Sequence, residues 1–324
     1  MLTLVTGATG LVGNNVVRCL LDRGQSVRVL VREGSDTRPF QGLDIERIEG
    51  DVRDRSQVRA ACRNVSRIVH SAAVVHIGWS GLKLQREINV EGTCNVAHAA
   101  REVDARLLYV STVDTIGLAT DRRAANEETP FQGKVACSYV VSKREAEDAI
   151  DKLVSDGLQA VVVNPGFMLG PWDWKPSSGR MLLKVGKFFA PLAPPGGLSV
   201  CDVRDVAGGI EAALDRGQVG RRYILAGHNC SIIDLWRQFK RITGGRPPLA
   251  KAWVPTVVVA GWLGDLIARV SGREPDINSA AAGMSRLHHF YDSQRATREL
   301  GYRRRPLEET IQDAWDWFRQ QGYA

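Results

Sequence analysis

Short apolar, β-branched runs alternate along this chain with longer stretches whose apolar residues recur every third or fourth position. Leu2-Thr3-Leu4-Val5 is the first such run, apolar on both sides, and reads as a buried parallel strand. In the next stretch Val12, Val16 and Leu20 fall on one helical stripe with Val17 and Leu21 beside it, and Gly24 supplies a left-handed C-cap. Strands are then expected at Ser26–Val31, Ile45–Glu49, Arg67–Ala73, Arg106–Thr112 and Ala160–Pro165. Helices are expected between them over Ser56–Cys62, Glu87–Val103 and Ser138 to about Ser155. Strand and helix in regular alternation predict an α/β fold with a doubly wound parallel sheet.

Beyond Pro165 the pattern loosens. Phe167–Gly179 is rich in proline, tryptophan and glycine (Gly170, Pro171, Trp172, Trp174, Pro176), the composition of a loop placed to cover a substrate. Phe188–Gly197 is proline-rich as well. Arg222–Ala226 reads as a strand, Ile232–Thr243 as a helix, and Leu307–Gln320 as an amphipathic terminal helix that packs through Ile311, Trp315 and Phe318. The expected division is a domain over residues 1–165 and a smaller lobe over 166–324, with some segments of the second returning to the first.

Composition changes this picture little. With 324 residues, 44% of them hydrophobic and 24% charged, the chain is an ordinary globular one with ample core. Its +7 formal charge is scattered, the densest run being Arg303-Arg304-Arg305, so a bias toward anionic ligands such as phosphates is expected. Nucleic-acid binding has no motif behind it and is not expected. The six cysteines form no close pairs and no metal spacing, which predicts free thiols, no metal and a cytoplasmic location. A strand beginning at Leu2 leaves no room for a signal peptide. Val254–Ala268 is apolar but short and broken by Pro255, Gly261, Gly264 and Asp265. A buried helix is expected there, with no stable membrane insertion and interfacial contact as the alternative.

Candidate chemistry starts at Thr6-Gly7-Ala8-Thr9-Gly10-Leu11-Val12-Gly13, a strand-to-helix turn with three glycines spaced three apart. Glycine lets backbone approach a pyrophosphate, and the helix N-terminus offers free N–H groups, so the turn fits a dinucleotide; a merely tight turn is the alternative. The second strand ends at Arg32, where an acidic residue would accept from ribose hydroxyls and an arginine favours a 2′-phosphate. Arg32, with Ser35 and Arg38 nearby, points to NADP(H), NAD remaining open; a solvated loop arginine is the alternative. Ser71, Ala72 and Ala73 are small residues at the C-terminal end of the fourth predicted strand, where they would leave room for the cofactor.

Tyr139 and Lys143 lie four apart on a predicted helix and share a face, downstream of a strand that ends in Ser111-Thr112. A phenol of pKa about 10 is a poor acid–base catalyst at neutral pH. A neighbouring ammonium and a cationic nicotinamide would both favour its phenolate form. Tyr139 could then exchange a proton with a substrate oxygen that Thr112 positions.

With these residues the chain resembles the extended short-chain dehydrogenases/reductases of the NAD-dependent epimerase/dehydratase group. The glycine turn is similar to that family's T-G-x-x-G-x-x-G, and Gly50-Asp51-Val52 to its adenine-contacting turn. Asn89-Val90-Glu91-Gly92-Thr93 resembles its N-V-x-G-T segment, Tyr139-x-x-x-Lys143 its catalytic pair, and Asn164-Pro165-Gly166 with Gly170-Pro171 its segment after the sixth strand. Arg32, Lys175-Pro176 and Gly220–Gly227 most resemble dihydroflavonol-4-reductase-like proteins and hopanoid-associated sugar epimerases. The resemblance implies a Rossmann-type domain with a C-terminal substrate-binding lobe. It implies cofactor contacts at Asp51, Val52, Ser111, Pro165 and Gly166, and a Lys143 that also holds the nicotinamide ribose. His76, Trp79, Asp114, Phe167 and Trp172 are candidates to line the substrate site. Asp202 and Arg204 stand where the family carries His and Asp, which leaves the substrate open between a small carbonyl compound and a sugar. A homodimer is implied through the helices Glu87–Val103 and Tyr139–Val154, with Ala97, Ala99, Ala100, Ala146, Ala149 and Ile150 available for contact.

Overall fold

Alternate residues of each apolar run feed opposite faces of a sheet, and this divides the core in two. In the computed structural model, which describes residues 1–119 and 124–324, the first half of the chain runs β1 (Leu2–Thr6), α1 (Leu11–Asp22), β2 (Ser26–Val31), β3 (Glu46–Glu49), α2 (Arg55–Ala61) and β4 (Arg67–His70). It continues with α3 (Leu82–Gln85), a π-helical turn over Arg86–Glu91, α4 (Gly92–Glu102), β5 (Arg106–Val110), α5 (Ser138–Ser155) and β6 (Ala160–Pro165). After β7 (Phe167–Leu169) come α6 (Gly179–Lys187), β8 (Leu192–Ala193), β9 (Gly197–Asp202), α7 (Val203–Arg216), β10 (Arg222–Leu225), β11 (His228–Ser231) and α8 (Ile232–Thr243). The chain ends with β12 (Ala250–Lys251), α9 (Val254–Ser271), α10 (Ser279–Met284), β13 (His288–His289), α11 (Gln294–Leu300) and α12 (Leu307–Gln320).

Seven parallel strands form the central sheet in the order β10-β6-β5-β4-β1-β2-β3. The chain winds outward from β1 to β3 and then crosses back to β4, so the sheet's switch point, and its ligand crevice, lie at the C-terminal ends of β1 and β4. Val5, Val29, Val69, Leu108 and Val161 pack on one face against α1 and α7. Leu4, Ile68, Leu107, Tyr109 and Val162 pack on the other against α2, α4 and α5. The doubly wound α/β expectation holds, and α7, β10 and α11 are segments of the second half that return to the core.

The remaining chain builds the smaller lobe. β11, β9, β13 and β7 form a mixed sheet around β9, and α6, α8 and α12 enclose a cluster that includes Trp174, Trp317 and Phe318. A joint seals α7 to α12: Asp202 caps α7 by accepting from the Arg204 N–H at 2.8 Å, and Arg204 bridges Asp202 and Asp313, each at 2.7 Å. The residues that stood in unfamiliar positions in the sequence are therefore structural.

One expectation fails here. α9 is not a buried helix: Gly261 and Gly264 are its only fully buried residues, and most of its apolar side chains are exposed. By length and composition it is the one helix among the described residues apolar enough to cross a membrane.

Candidate active site

The glycine turn builds the floor of a cavity of about 490 Å³ at the switch point. Gly7 has φ +72°, and a Cβ there would meet the Ala72 amide nitrogen at 2.6 Å. A Cβ on Gly13 would meet the Gly7 carbonyl oxygen at 2.4 Å. The turn therefore folds only with glycine at both places. α1 begins at Gly10 with no side-chain cap, so its first amides stay open toward the cavity. Thr9, Leu11, Val12, Ser71, Ala72, Ala73, Asp51 and Val52 line the walls as expected. Arg32 and Ser35 line them where β2 ends, and the neighbouring Glu33 does not.

Residues that sequence reasoning did not assign to the site close the cavity, among them Asp173, Lys175 and Ser177 in the strap before α6 and Arg180 in its first turn. The composition of Phe167–Gly179 marked this stretch as a covering loop, and Lys175-Pro176 carried a further signal through the family resemblance. Arg38 is turned away and forms a two-pronged ion pair with Asp36. Thr6 is fully buried and supports the turn from beneath. Pro165 and Gly166 are not on the cavity wall. The Gly166 N–H donates to Leu225 O, and a Cβ would meet Ser199 O at 2.6 Å, so this glycine serves the junction of the two sheets.

Beneath the site runs a buried polar thread. Thr93 Oγ1 donates to Asn89 O at 2.6 Å, so it accepts from His70 Nε2–H at 3.0 Å. His70 Nδ1 is then the bare nitrogen and accepts from Thr6 Oγ1 at 2.7 Å. Burial pulls the imidazole down to about 3, which keeps it neutral. The Asn89 side chain donates to Val74 O and to Ser142 Oγ, both at 3.0 Å, and ties α5 to the loop after β4. A second cluster pins the end of β5. Asn164 Nδ2 donates to Thr112 O at 2.9 Å and to Glu147 Oε1 at 2.8 Å, and Arg222 pairs with Glu147 Oε2 at 3.1 Å.

Thr112, Tyr139 and Lys143 come together above these supports. Tyr139 is buried, with the Thr112 hydroxyl beside it. Burial, and then the Asp114 carboxylate, push the phenol well above its ordinary value. Lys143 does not reach the phenol: its Nζ donates to Val110 O at 2.9 Å, and burial pulls the amine down to about 7. The expected pull of a neighbouring ammonium toward phenolate is therefore outweighed by desolvation, and Tyr139 rests as an acid. The buried Ser111 Oγ has no hydrogen-bond partner among the described residues. This orphan hydroxyl, the open amides of α1 and the glycine floor fit a dinucleotide, which they would hold.

Of the substrate candidates, Asp114 lies beside Thr112, its carboxylate 3.5 Å from the Thr112 hydroxyl, and the loop carrying His76 and Trp79 bonds to Ser138 next to Tyr139 through Gly78 O. The Asp114 carboxylate accepts from Lys134 Nζ at 2.9 Å, and Lys134 Nζ is 2.7 Å from His289 Nδ1. Sequence reasoning missed Lys134 and His289, which lie far apart in the chain and carry no motif. His76 and Trp79 instead clasp Glu274: His76 Nε2 is 2.8 Å from its carboxylate, and the Trp79 N–H donates to it at 2.9 Å. These bonds oppose the cost of burial and hold the Glu274 carboxyl down at about 2. Trp172 lies under the Arg18 guanidinium at 3.3 Å, beside Trp174 and Trp317, and Phe167 packs into the same aromatic cluster. The strap thus fastens to α1, where Asn15 donates to Pro171 O at 3.0 Å.

Fold and site define a dinucleotide-binding enzyme with a Thr–Tyr–Lys centre. The chain belongs to the NAD dependent epimerase/dehydratase family, whose pattern matches residues 3–226, and it is an enzyme of the extended short-chain dehydrogenase/reductase type. It is 34% identical to "Sterol demethylase protein B" of Methylococcus capsulatus, over 99% of both chains. It is 32% identical to the "Putative dihydroflavonol 4-reductase" of Synechocystis sp., over 99% of this chain and 95% of the other. Against a 4-hydroxy-2-methyl-3-oxo-4-farnesyl-3,4-dihydroquinoline-1-oxide ketoreductase of Stigmatella aurantiaca, identity is 28% over 100% and 97%. Among solved structures, gox2253 superposes with a TM-score of 0.88 at 36% identity over 99% of both chains. The fold is shared with PA4631, a nucleoside-diphosphate-sugar epimerase from Pseudomonas aeruginosa, at TM-score 0.81 and 24% identity over 100% and 99%.

A buried lysine held near neutrality makes stability depend on pH. Its folded pKa lies below the unfolded value of about 10, so between about pH 7 and pH 10 the unfolded chain binds a proton that the folded chain has released. Without ligand the fold gains stability as pH rises through that window, on the order of 1–2 kcal/mol between about pH 7 and 9. Lys143→Met removes this increment. Urea midpoints of both proteins at the two pH values test it, and parallel behaviour would contradict the assignment.

Proposed function

We propose that this enzyme is an NADP(H)-dependent reductase acting on a ketone or aldehyde of a small hydroxylated or ring-bearing molecule. The observation that carries the reading is the Thr112–Tyr139 pair, a phenol kept protonated by burial beside a hydroxyl that can orient a carbonyl oxygen. When bound, a nicotinamide cofactor would supply the hydride. Tyr139 gives its proton to the oxygen of the carbonyl being reduced, Thr112 fixes that oxygen, and Lys143 holds the cofactor ribose. Relatives named as a dihydroflavonol reductase and a ketoreductase support carbonyl reduction, and those named for a sterol and a farnesylated quinoline support an apolar ring system. The second reading is a nucleotide-sugar epimerase or 4-keto-sugar reductase, which uses the same residues and which the shared epimerase fold favours. Tight retention of cofactor through purification would favour that reading. A non-enzymatic NADP sensor is disfavoured by the intact catalytic trio.

The cytoplasm is the proposed location, which the six unpaired cysteines support. For assembly we keep the homodimer through α4 and α5, although Ala97, Ala99, Ala100, Ala146 and Ile150 are already buried in the subunit's own core and only Ala149 is half free. Light scattering should return twice 35.6 kDa, and a monomer at micromolar concentration would overturn the dimer.

Arg32 supports the choice of NADP(H). A charge-assisted contact with the 2′-phosphate is worth roughly 1.5–3 kcal/mol, so NADPH should bind about 10–150-fold tighter than NADH. Arg32→Asp should reverse the order; equal affinities in the wild type, measured by titration, would exclude it. Tyr139→Phe deletes the proton and keeps the ring. Turnover should fall by ~10²–10⁴ with little change in cofactor affinity, whereas near-normal turnover would remove Tyr139 from the chemistry.

A further inference from the structure

α9 is an apolar helix that turns its small residues inward and its large ones outward. Its inward side carries the glycines: a Cβ on Gly261 would meet Ala282 at 2.8 Å, and one on Gly264 would meet Ile277 O at 1.8 Å. Its one acidic residue also turns inward, Asp265 accepting from the Ser279 N–H at 3.0 Å. The outward side carries Val259, Trp262, Leu263, Leu266, Ile267 and Val270, between 51% and 84% exposed. Those positions follow the i, i+3, i+4, i+7 spacing of a single helical face, the signature of a face made to be covered. Trp253 extends the face at the N-terminal end, and the pairing of β12 with β8 adds Leu249 and Leu192, all three more than half exposed.

The charges around this face choose its partner. Lys251 lies at one end and Arg269 and Arg273 at the other, all exposed and without an acidic partner among the described residues. The nearby Asp276 is neutralised by Lys184 at 2.8 Å, and Glu274 is held inward by His76 and Ser80. The unpaired charges at both ends of the face are therefore cationic. A second copy docked on the same face by two-fold symmetry would set cation against cation. An apolar face with tryptophans, rimmed by lysine and arginine, complements a bilayer surface with anionic headgroups. Because its glycine side is fastened to α10, the helix lies along that surface and does not cross it.

We propose that α9 docks the enzyme on anionic lipid bilayers as an interfacial helix. The contact lies close to the chemistry, since Ala280 of α10 packs against Tyr139 and Val140. On the reading of the site as a carbonyl reductase, docking gives the catalytic tyrosine access to apolar substrates dissolved in the membrane.

The test is flotation of the full chain with vesicles of phosphatidylcholine alone and of phosphatidylcholine mixed with phosphatidylglycerol, which does not depend on any activity. The protein should float with the mixed vesicles, more weakly with neutral ones, and less as salt is raised. Trp262→Glu with Leu266→Glu should abolish flotation, and each of Lys251→Glu, Arg269→Glu and Arg273→Glu should weaken it roughly fivefold. Unchanged thermal midpoints would show that these exposed positions leave the fold intact. Failure of the wild type to float with either vesicle overturns the proposal. So does flotation that the Trp262→Glu/Leu266→Glu protein retains, or a wild-type oligomer that this variant dissociates while vesicles go unbound.

Discussion

A neutral, buried histidine holds the site together. His70 sits at the end of β4 with one nitrogen accepting from Thr6 on β1 and the other donating to Thr93 on α4. Protonating it would place a charge in the core and break the acceptor half of that arrangement, so burial and hydrogen bonding enforce one tautomer. From this point the thread runs through Asn89 to Ser142, one residue before Lys143. The strands beneath the glycine turn and the helix that carries Tyr139 are thereby held in one register. A catalytic constellation tolerates little play, and a fully satisfied polar network supplies rigidity that loop packing alone would not.

The same burial sets the chemistry. Tyr139 and Lys143 are both taken out of water, and desolvation drives them in opposite senses, the phenol toward its acid and the amine toward its base. The uncharged pair is the form that a low-dielectric site favours. The amine is also committed to Val110 O at the end of β5, and the phenol lies beside Thr112. Asp114 adds a negative charge that reinforces the acid form, and Lys134 balances that charge.

The smaller lobe is fastened to this centre at separate places. Glu274 gathers His76, Trp79 and Ser80, which joins the loop after β4 to the segment following α9. Trp172 and Pro171 lock the strap onto α1, and Arg204 with Asp202 and Asp313 seals α7 to the terminal helix. These fastenings are polar or cation–π contacts at lobe boundaries. They let a glycine-faced helix ride on the outside with its large apolar side chains free.

What the sequence determined by itself is what depends on local periodicity and on backbone sterics. The β1–α1 turn, strands such as Ser26–Val31 and Ala160–Pro165, and the helix Ser138–Ser155 were legible because apolar spacing and glycine positions are fixed within one turn or strand. The Thr112–Tyr139–Lys143 set was legible because two of its members share a helix face and the third ends a strand. Tertiary structure alone decided which candidates meet the site. His76, Trp79 and Trp172 have the chemistry of a substrate pocket, yet partners that lie far away in the chain turned them into fastenings. Lys134 and His289 joined the site from positions 155 residues apart, a contact that no local pattern encodes. α9 shows the limit most clearly: its apolar content is plain in the sequence, but which face turns inward depends on the close approach of α10 to Gly261 and Gly264, and that contact exists only once the chain has folded.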